Sequence, residues 1–232
     1  FLDTTLIFGN NPLESIPFDS ETLDAYEIGV KSTVLSDTTR LNAAAFYYDY
    51  KNFQTFQWLL INQVIFNTDA EVYGGELEID SRPVDGLTLQ GGLGVLHAVA
   101  KDIPTISGDG FRDREMVGAP DVSLSGLVRY EWPALGGKLA LQASGSYQKD
   151  IWYDIQNHPI SRENGYTVVN FRGSYTGGDG AWEIYAWLNN AFKEKYKTYT
   201  FDFSGSFGFN QIGSGAPRWW GVGMRVNFGK SR

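Results

Sequence analysis

The 232-residue chain carries 27 Gly, 13 Tyr, 15 Phe and 7 Trp but no Cys, with charged residues at 20%, a composition that excludes collagen, coiled coils and disulfide scaffolds and favours an all-β protein. Its 19 Lys+Arg against 27 Asp+Glu give a net charge of -8 without any dense basic cluster, so a nucleic-acid partner is excluded, and the lack of Cys removes thiolate metal sites. No run of 18 apolar residues is present, so no transmembrane helix is predicted; a transmembrane β-strand needs only about 9 to 11 residues, half of them facing a polar lumen.

Period-two alternation runs along nearly the whole chain and predicts about nine strands. In order, weaker patterns cover Leu23 to Val34, Arg40 to Phe53 and Ala70 to Asp80. A clear one follows, with Leu87, Leu89, Gly91, Leu93 and Val95 on one face and Thr88, Gln90, Gly92 and Gly94 on the other. Val122 to Trp132 and Leu139 to Gln148 repeat it. Tyr166 to Tyr175 and Trp182 to Tyr199 are weaker again, and Trp220 to Phe228 closes the series with Val222, Met224 and Val226 opposite Gly223, Arg225 and Asn227. Each strand has one apolar face and one polar or small face.

The connections alternate in length. Leu35 to Thr38, Arg82 to Gly86, Pro133 to Gly137 and Gly177 to Gly180 are short and rich in turn formers. Leu59 to Phe66, Asp102 to Met116, Ile151 to Gly165 and Thr200 to Pro217 read as longer, irregular loops. Outer-membrane barrels have this asymmetry, with short periplasmic turns and long extracellular loops; in that orientation Phe1 to Glu21 belongs to an extracellular loop. A soluble β-sandwich or up-and-down barrel can also have uneven loops. Tryptophan position favours the membrane: Trp132 and Trp182 flank short turns, Trp58 and Trp152 approach long loops, Trp219 and Trp220 follow the last long loop, and only Trp187 is mid-strand. Six of seven at strand ends resembles two interfacial girdles.

Bacterial single-chain barrels have even strand numbers and join first strand to last, so about nine strands indicate a portion of a barrel. The start at Phe1-Leu2-Asp3-Thr4-Thr5, with no Met and no signal-peptide pattern, runs straight into patterned sequence and fits that expectation.

Several stretches then resemble one family. Glu21-Thr22 with Tyr26-Glu27-Ile28-Gly29-Val30-Lys31, the strand Leu41 to Asn52, Gly74-Gly75-Glu76-Leu77-Glu78, Leu188-Asn189-Asn190-Ala191-Phe192-Lys193-Glu194-Lys195-Tyr196, and Gly215-Ala216-Pro217-Arg218 before the closing strand occur in the order found in the C-terminal barrel of TonB-dependent outer-membrane receptors. The chain departs from the family's Asn-Leu-Phe-Asp-x-x-Tyr segment at Asn190-Ala191 and Lys193, and Phe228 is followed by Gly-Lys-Ser-Arg where the family usually ends on an aromatic. The resemblance implies the last nine strands of a barrel of about 22, with the plug domain, its TonB box and the earlier strands upstream of Phe1. It implies active import of a scarce solute, such as a siderophore or other metal chelate, a cofactor or a glycan. The implied partners are outer-membrane lipid, the rest of the barrel and plug, the TonB complex acting through that plug, and a small-molecule ligand. A passive porin or structural barrel is the alternative, and an upstream plug distinguishes the two.

No enzyme site is predicted. His97 and His158 are isolated from each other, no Gly-x-Ser-x-Gly elbow precedes a helix, and Gly91-Gly92-x-Gly94 lies within a strand, so no catalytic residue, resident cofactor or metal site is assigned. Glu76, Glu78, Arg129, Glu131, Glu183 and Arg225 fall on polar faces and are expected to face water or a plug. Two loops are candidate ligand contacts, one through Arg112 and Arg114 and the other through Trp152, Tyr153 and His158, since recognition residues concentrate on loops held by a rigid scaffold.

Overall fold

A computed structural model describes residues 20–59, 62–106 and 108–228, with backbone alone at 57–59, 62–64 and 206. The expectation for Phe1 to Glu21 therefore falls largely outside the described residues. The alternating segments form β1 (Thr22–Val34), β2 (Thr39–Leu59), β3 (Asn62–Ser81), β4 (Leu87–Pro104), β6 (Val122–Ala134), β7 (Gly137–Gln148), β10 (Tyr166–Thr176), β11 (Trp182–Asn189) and β14 (Trp219–Val226). These nine pair in that order in one sheet, and every pairing is antiparallel. β5 (Phe111–Glu115) adds to β4 outside this path.

The short connections are tight turns, as their composition predicts. Only Leu135 and Gly136 separate β6 from β7, both at positive φ (52° and 75°), the geometry of a two-residue hairpin whose twist matches its strands.

Register propagates one apolar face across the sheet. Val128 pairs with Leu89 and Ala143, Tyr130 with Leu87 and Leu141, Leu141 with Gly173, and Ile184 with Tyr175 and Met224. Among the described residues no second layer covers this face: Ile28, Val30, Leu141, Val222 and Met224 are all exposed. A contiguous exposed apolar face of this extent marks a surface whose solvent is lipid or another protein.

The opposite face carries the six charges assigned to it from alternation, while Asp24, Asp49 and Glu71 pair side by side on the apolar-face register toward the long-connection end. Glu183 is shared between Arg172 (3.2 Å) and Arg225 (3.9 Å), and Glu131 between Arg129 (3.1 Å) and Lys138 (3.4 Å). Arg172 also lies 4.1 Å over the Tyr185 ring. Gly221 is required opposite Trp187, because a Cβ there would overlap the indole lying across the sheet.

The two-girdle expectation needs correction. Trp132 and Trp182 do point outward at the short-turn end, each 5.5 Å from a tyrosine, Tyr130 and Tyr175 respectively. Trp219 and Trp220 are adjacent in one strand and so face opposite sides: Trp220 points outward, whereas Trp219 meets Trp187 edge-on at 5.9 Å on the polar face. Trp152 has left the main sheet, and the side chain of Trp58 is outside the described residues.

The long connections are also more ordered than their composition suggests. Leu59 to Phe66 is not an irregular loop, because β2 and β3 stay paired through Leu59 and Asn62. Asp102 to Met116 folds back as the β4–β5 hairpin. Ile151 to Gly165 contains β8 (Ile151–Trp152), a 3-10 turn (Pro159–Ser161) and β9 (Arg162–Glu163). Thr200 to Pro217 belongs to a hairpin of β12 (Lys197–Phe203) and β13 (Phe209–Ser214) around the short helical turn α1 (Ser204–Phe207). Trp182 to Tyr199 is not one strand either. Asn190, 3% exposed and at φ 48°, ends β11: its Nδ2 donates to the Glu194 and Ala216 carbonyls, and its Oδ1 accepts from the Glu194 N–H. Those bonds satisfy backbone groups that a continued strand would have paired.

Candidate functional site

The four long connections converge at one end of the sheet. On β2 the register slips between Tyr50 and Phe53, with Asn52 at φ 57°. Asp69 holds this bulge, accepting from the Asn52 N–H and from Lys51 Nζ, both at 3.2 Å. A bulge re-aims the side chains that follow it, and here those are Phe53 to Phe56. On β4, Ala100 and Ile103 are buried against Ile155 of the β8–β9 connection, with Phe66 and Met116 packed around them. This small core fixes the loops to the sheet.

Polar stitching completes the arrangement. Gln156 Nε2 donates to the Pro104 carbonyl (2.8 Å), and Asn157 brackets the Glu115 backbone, accepting from its N–H (2.9 Å) and donating to its carbonyl (3.0 Å). The Tyr153 hydroxyl donates to the Lys197 carbonyl at 2.6 Å. Burial, reinforced by the charge of Glu163 and the nearby Tyr166 and Tyr196, pushes the Tyr153 phenol up to about 12, so it remains a donor at physiological pH.

Asp154 Oδ1 lies 3.2 Å from His158 Nδ1 one turn on. Burial raises the Asp154 carboxyl, but its contacts with His158 outweigh that and hold it below the usual carboxylate range. The same hydrogen bond raises His158 above the ordinary imidazole value, against desolvation and the positive charge of Arg114.

Between these connections lies a cavity of about 660 Å³. Phe53, Phe56, Ile106, Val117, Ile155 and Phe201 supply its apolar wall, and Tyr153, Asp154, His158, Thr200 and Asp202 its polar groups. Gln54, Thr55, Gln156 and Ser204 line it as well, and the size and the aromatic wall with convergent polar groups are those of a small-molecule pocket. A second, more open recess of about 420 Å³ lies along the polar face of the sheet between Glu76, Glu78, Ser123 and Gln148.

The five residues singled out from sequence separate. Tyr153 and His158 line the cavity. Trp152 acts as a brace, its Nε1 donating to Glu115 Oε2 at 2.8 Å while Arg162 sits 5.6 Å over its ring. Arg112 is exposed on β5, ion-paired with Asp109 at 3.6 Å. Arg114 is half-buried opposite Ala100 in the β4–β5 register, its Nε without a hydrogen-bond partner and its charge acting on His158, but it is not part of the cavity lining. Sequence reasoning missed Phe53, Phe56, Thr200 and Phe201, which read as strand or generic loop; the break in alternation at Lys51 to Phe53 was the available signal. Among the described residues, no three His, Asp or Glu side chains are grouped as metal ligands.

Residues 3–191 match the family model described as TonB dependent receptor-like, beta-barrel. The chain belongs to this family. In barrels of this kind short turns are periplasmic and long loops extracellular, and the loop cavity lies among this chain's long connections. Solved structures agree on the fold. The ferric yersiniabactin uptake receptor FyuA from Yersinia pestis superposes with a TM-score of 0.73 at 20% identity, over 90% of this chain and 30% of that one. The ferric-catecholate import receptor Fiu from E. coli K12 gives 0.67 at 18% identity over 89% and 27%, and the copper transporter OprC 0.66 at 16% over 90% and 31%. The chain thus spans about a third of the length of the receptors it resembles.

Proposed function

We propose that this chain is the C-terminal wall of an outer-membrane active-transport receptor, which captures a scarce solute among its extracellular loops and imports it with energy from the TonB complex. The loop cavity carries this reading: four extracellular connections, each secured by buried packing or side-chain hydrogen bonds, enclose a pocket of ligand size on the face exposed to the medium. The plug and the earlier strands belong to polypeptide outside this chain, and the TonB complex acts through that plug. Lipid contacts the outward face. Similar structures described as receptors for ferric chelates and as a copper transporter make a metal chelate the first solute to test.

The test is uptake of iron and copper chelates by cells carrying the full-length gene, with and without a functional TonB complex. Import that requires both the gene and TonB supports the reading. Passage that persists without TonB and scales with solute concentration would make the protein a passive pore.

A further inference from the structure

The loop cavity has a distinctive charge balance. Its lining includes two carboxylates, Asp154 and Asp202, and one imidazole, His158, but no Lys or Arg among the described residues. Among residues 1–19, 57–64, 107, 206 and 229–232, the basic ones are Lys230 and Arg232 alone. Four cations on the surrounding loops are engaged elsewhere: Lys149 with Asp121 at 2.5 Å, Arg162 with Asp150 at 2.6 Å, Arg112 with Asp109 at 3.6 Å, and Lys197 with the Ile160 carbonyl at 3.2 Å. Arg114, with its Nε buried and unpartnered, is the cation whose charge reaches His158, and it stands outside the lining. A site for a polyanionic chelate would instead present guanidinium or ammonium groups to it.

Two further observations point to a ligand. The Thr200 hydroxyl has no hydrogen-bond partner although the residue is 3% exposed and lines the cavity. Asp154 Oδ2 is likewise buried and unpartnered in the same wall. Buried polar atoms are ordinarily satisfied, and such orphans at a cavity await a partner. We propose that this cavity selects a neutral or cationic solute with an aromatic or apolar arm and rejects polyanions. The arm packs against Phe53, Phe56 and Phe201, while N–H or O–H groups of the solute satisfy Asp154 Oδ2 and Thr200 Oγ1. This rests on the import reading above and narrows its substrate class.

The experiment uses the full-length receptor in detergent and two pairs of probes, with binding corrected for partition into empty micelles. Tetraphenylphosphonium and tetraphenylborate are aromatic ions of matched shape and opposite charge. A cationic ferric tris-hydroxamate and a tri-anionic ferric tris-catecholate form the chelate pair. The cation of each pair is expected to bind about tenfold or more tightly than its anion, the size of effect that one close charge partner gives. D154N with D202N should shrink that ratio, and Ile106→Lys, at an exposed lining position, should shift it toward the anion. Thr200→Val should weaken the cationic chelate several-fold without lowering Tm, since it deletes an unsatisfied hydroxyl. Tighter binding of either anion, or no binding of either organic ion, overturns the inference. Selectivity for the phosphonium with neither chelate bound would uphold the cavity's charge preference and sink the metal-chelate reading. Chelates bound with the tris-catecholate preferred would do the reverse.

Discussion

Leu141→Arg tests which solvent the apolar face meets. Leu141 lies in the middle of β7, paired with Tyr130 and Gly173, and is 56% exposed with no second layer over it among the described residues. If water bathed that face, an exposed substitution would change stability by no more than about 0.5 kcal/mol. In a bilayer, an arginine on the lipid face near the midplane costs about 2–4 kcal/mol, or a factor of about 30 to 1000 in the folding equilibrium. Gln142→Glu, one residue along, is the internal control, because alternation turns it to the polar face between Arg129 and Arg172, where the change should stay within about 0.5 kcal/mol. The assay is denaturant unfolding of the full-length receptor in lipid bilayers, comparing midpoints at unchanged slope. Equal, small effects of both substitutions, or a larger effect at Gln142 than at Leu141, would refute the assignment of faces.

Other consequences follow from the loops and the polar face. Asn190→Ala removes three side-chain hydrogen bonds to the backbone at the end of β11 and should cost about 2–3 kcal/mol by the same unfolding assay. Gly221→Ala drives a methyl into the Trp187 indole and should cost about 1–3 kcal/mol, with most of the loss recovered in combination with Trp187→Ala. The Asp154–His158 pair makes local stability depend on pH. His158 is raised, so its contribution is complete below its unfolded value of about 6.5 and is lost as pH rises through the higher folded value. Asp154 is lowered, so its contribution is present above about 3.9 and is lost as pH falls through the lower folded value. Hydrogen exchange in residues 153–161, corrected for intrinsic rate, should accelerate as pH rises above about 6.5, and His158→Gln should remove that dependence; a flat profile in the parent protein would contradict the pairing.

The repetitive parts of this protein were legible because they obey one rule. A period-two pattern with a solvent difference across the sheet placed all nine main strands, and it put Arg129, Glu131, Glu183 and Arg225 on one face, as the register shows. The long-connection ends were harder, for physical reasons. Strand pairing beyond Phe53 and at Phe111–Glu115 continues across register shifts, and a one-residue slip inverts every later side chain, so alternation could not say where Phe56 or Arg114 would point. Asn190 ends β11 through its side chain, although Trp182 to Tyr199 reads as one patterned run. The cavity brings together residues from about 53 to 205 through long-range packing. Charge spacing within single loops drew attention to Arg112 and Arg114, whereas the wall is made by Phe53, Thr200 and Phe201 from other connections.

Topological labelling tests the central claim most directly. This chain has no cysteine, so Leu135→Cys in the β6–β7 turn and Phe207→Cys in α1, both at exposed positions, each introduce a single thiol into it. Cells expressing the full-length receptor are treated with a maleimide polymer too large for outer-membrane pores. Labelling at position 207 in intact cells, with position 135 labelled only after the outer membrane is permeabilised, is the result this account predicts. Labelling of position 135 in intact cells, or protection of position 207 until permeabilisation, would contradict it.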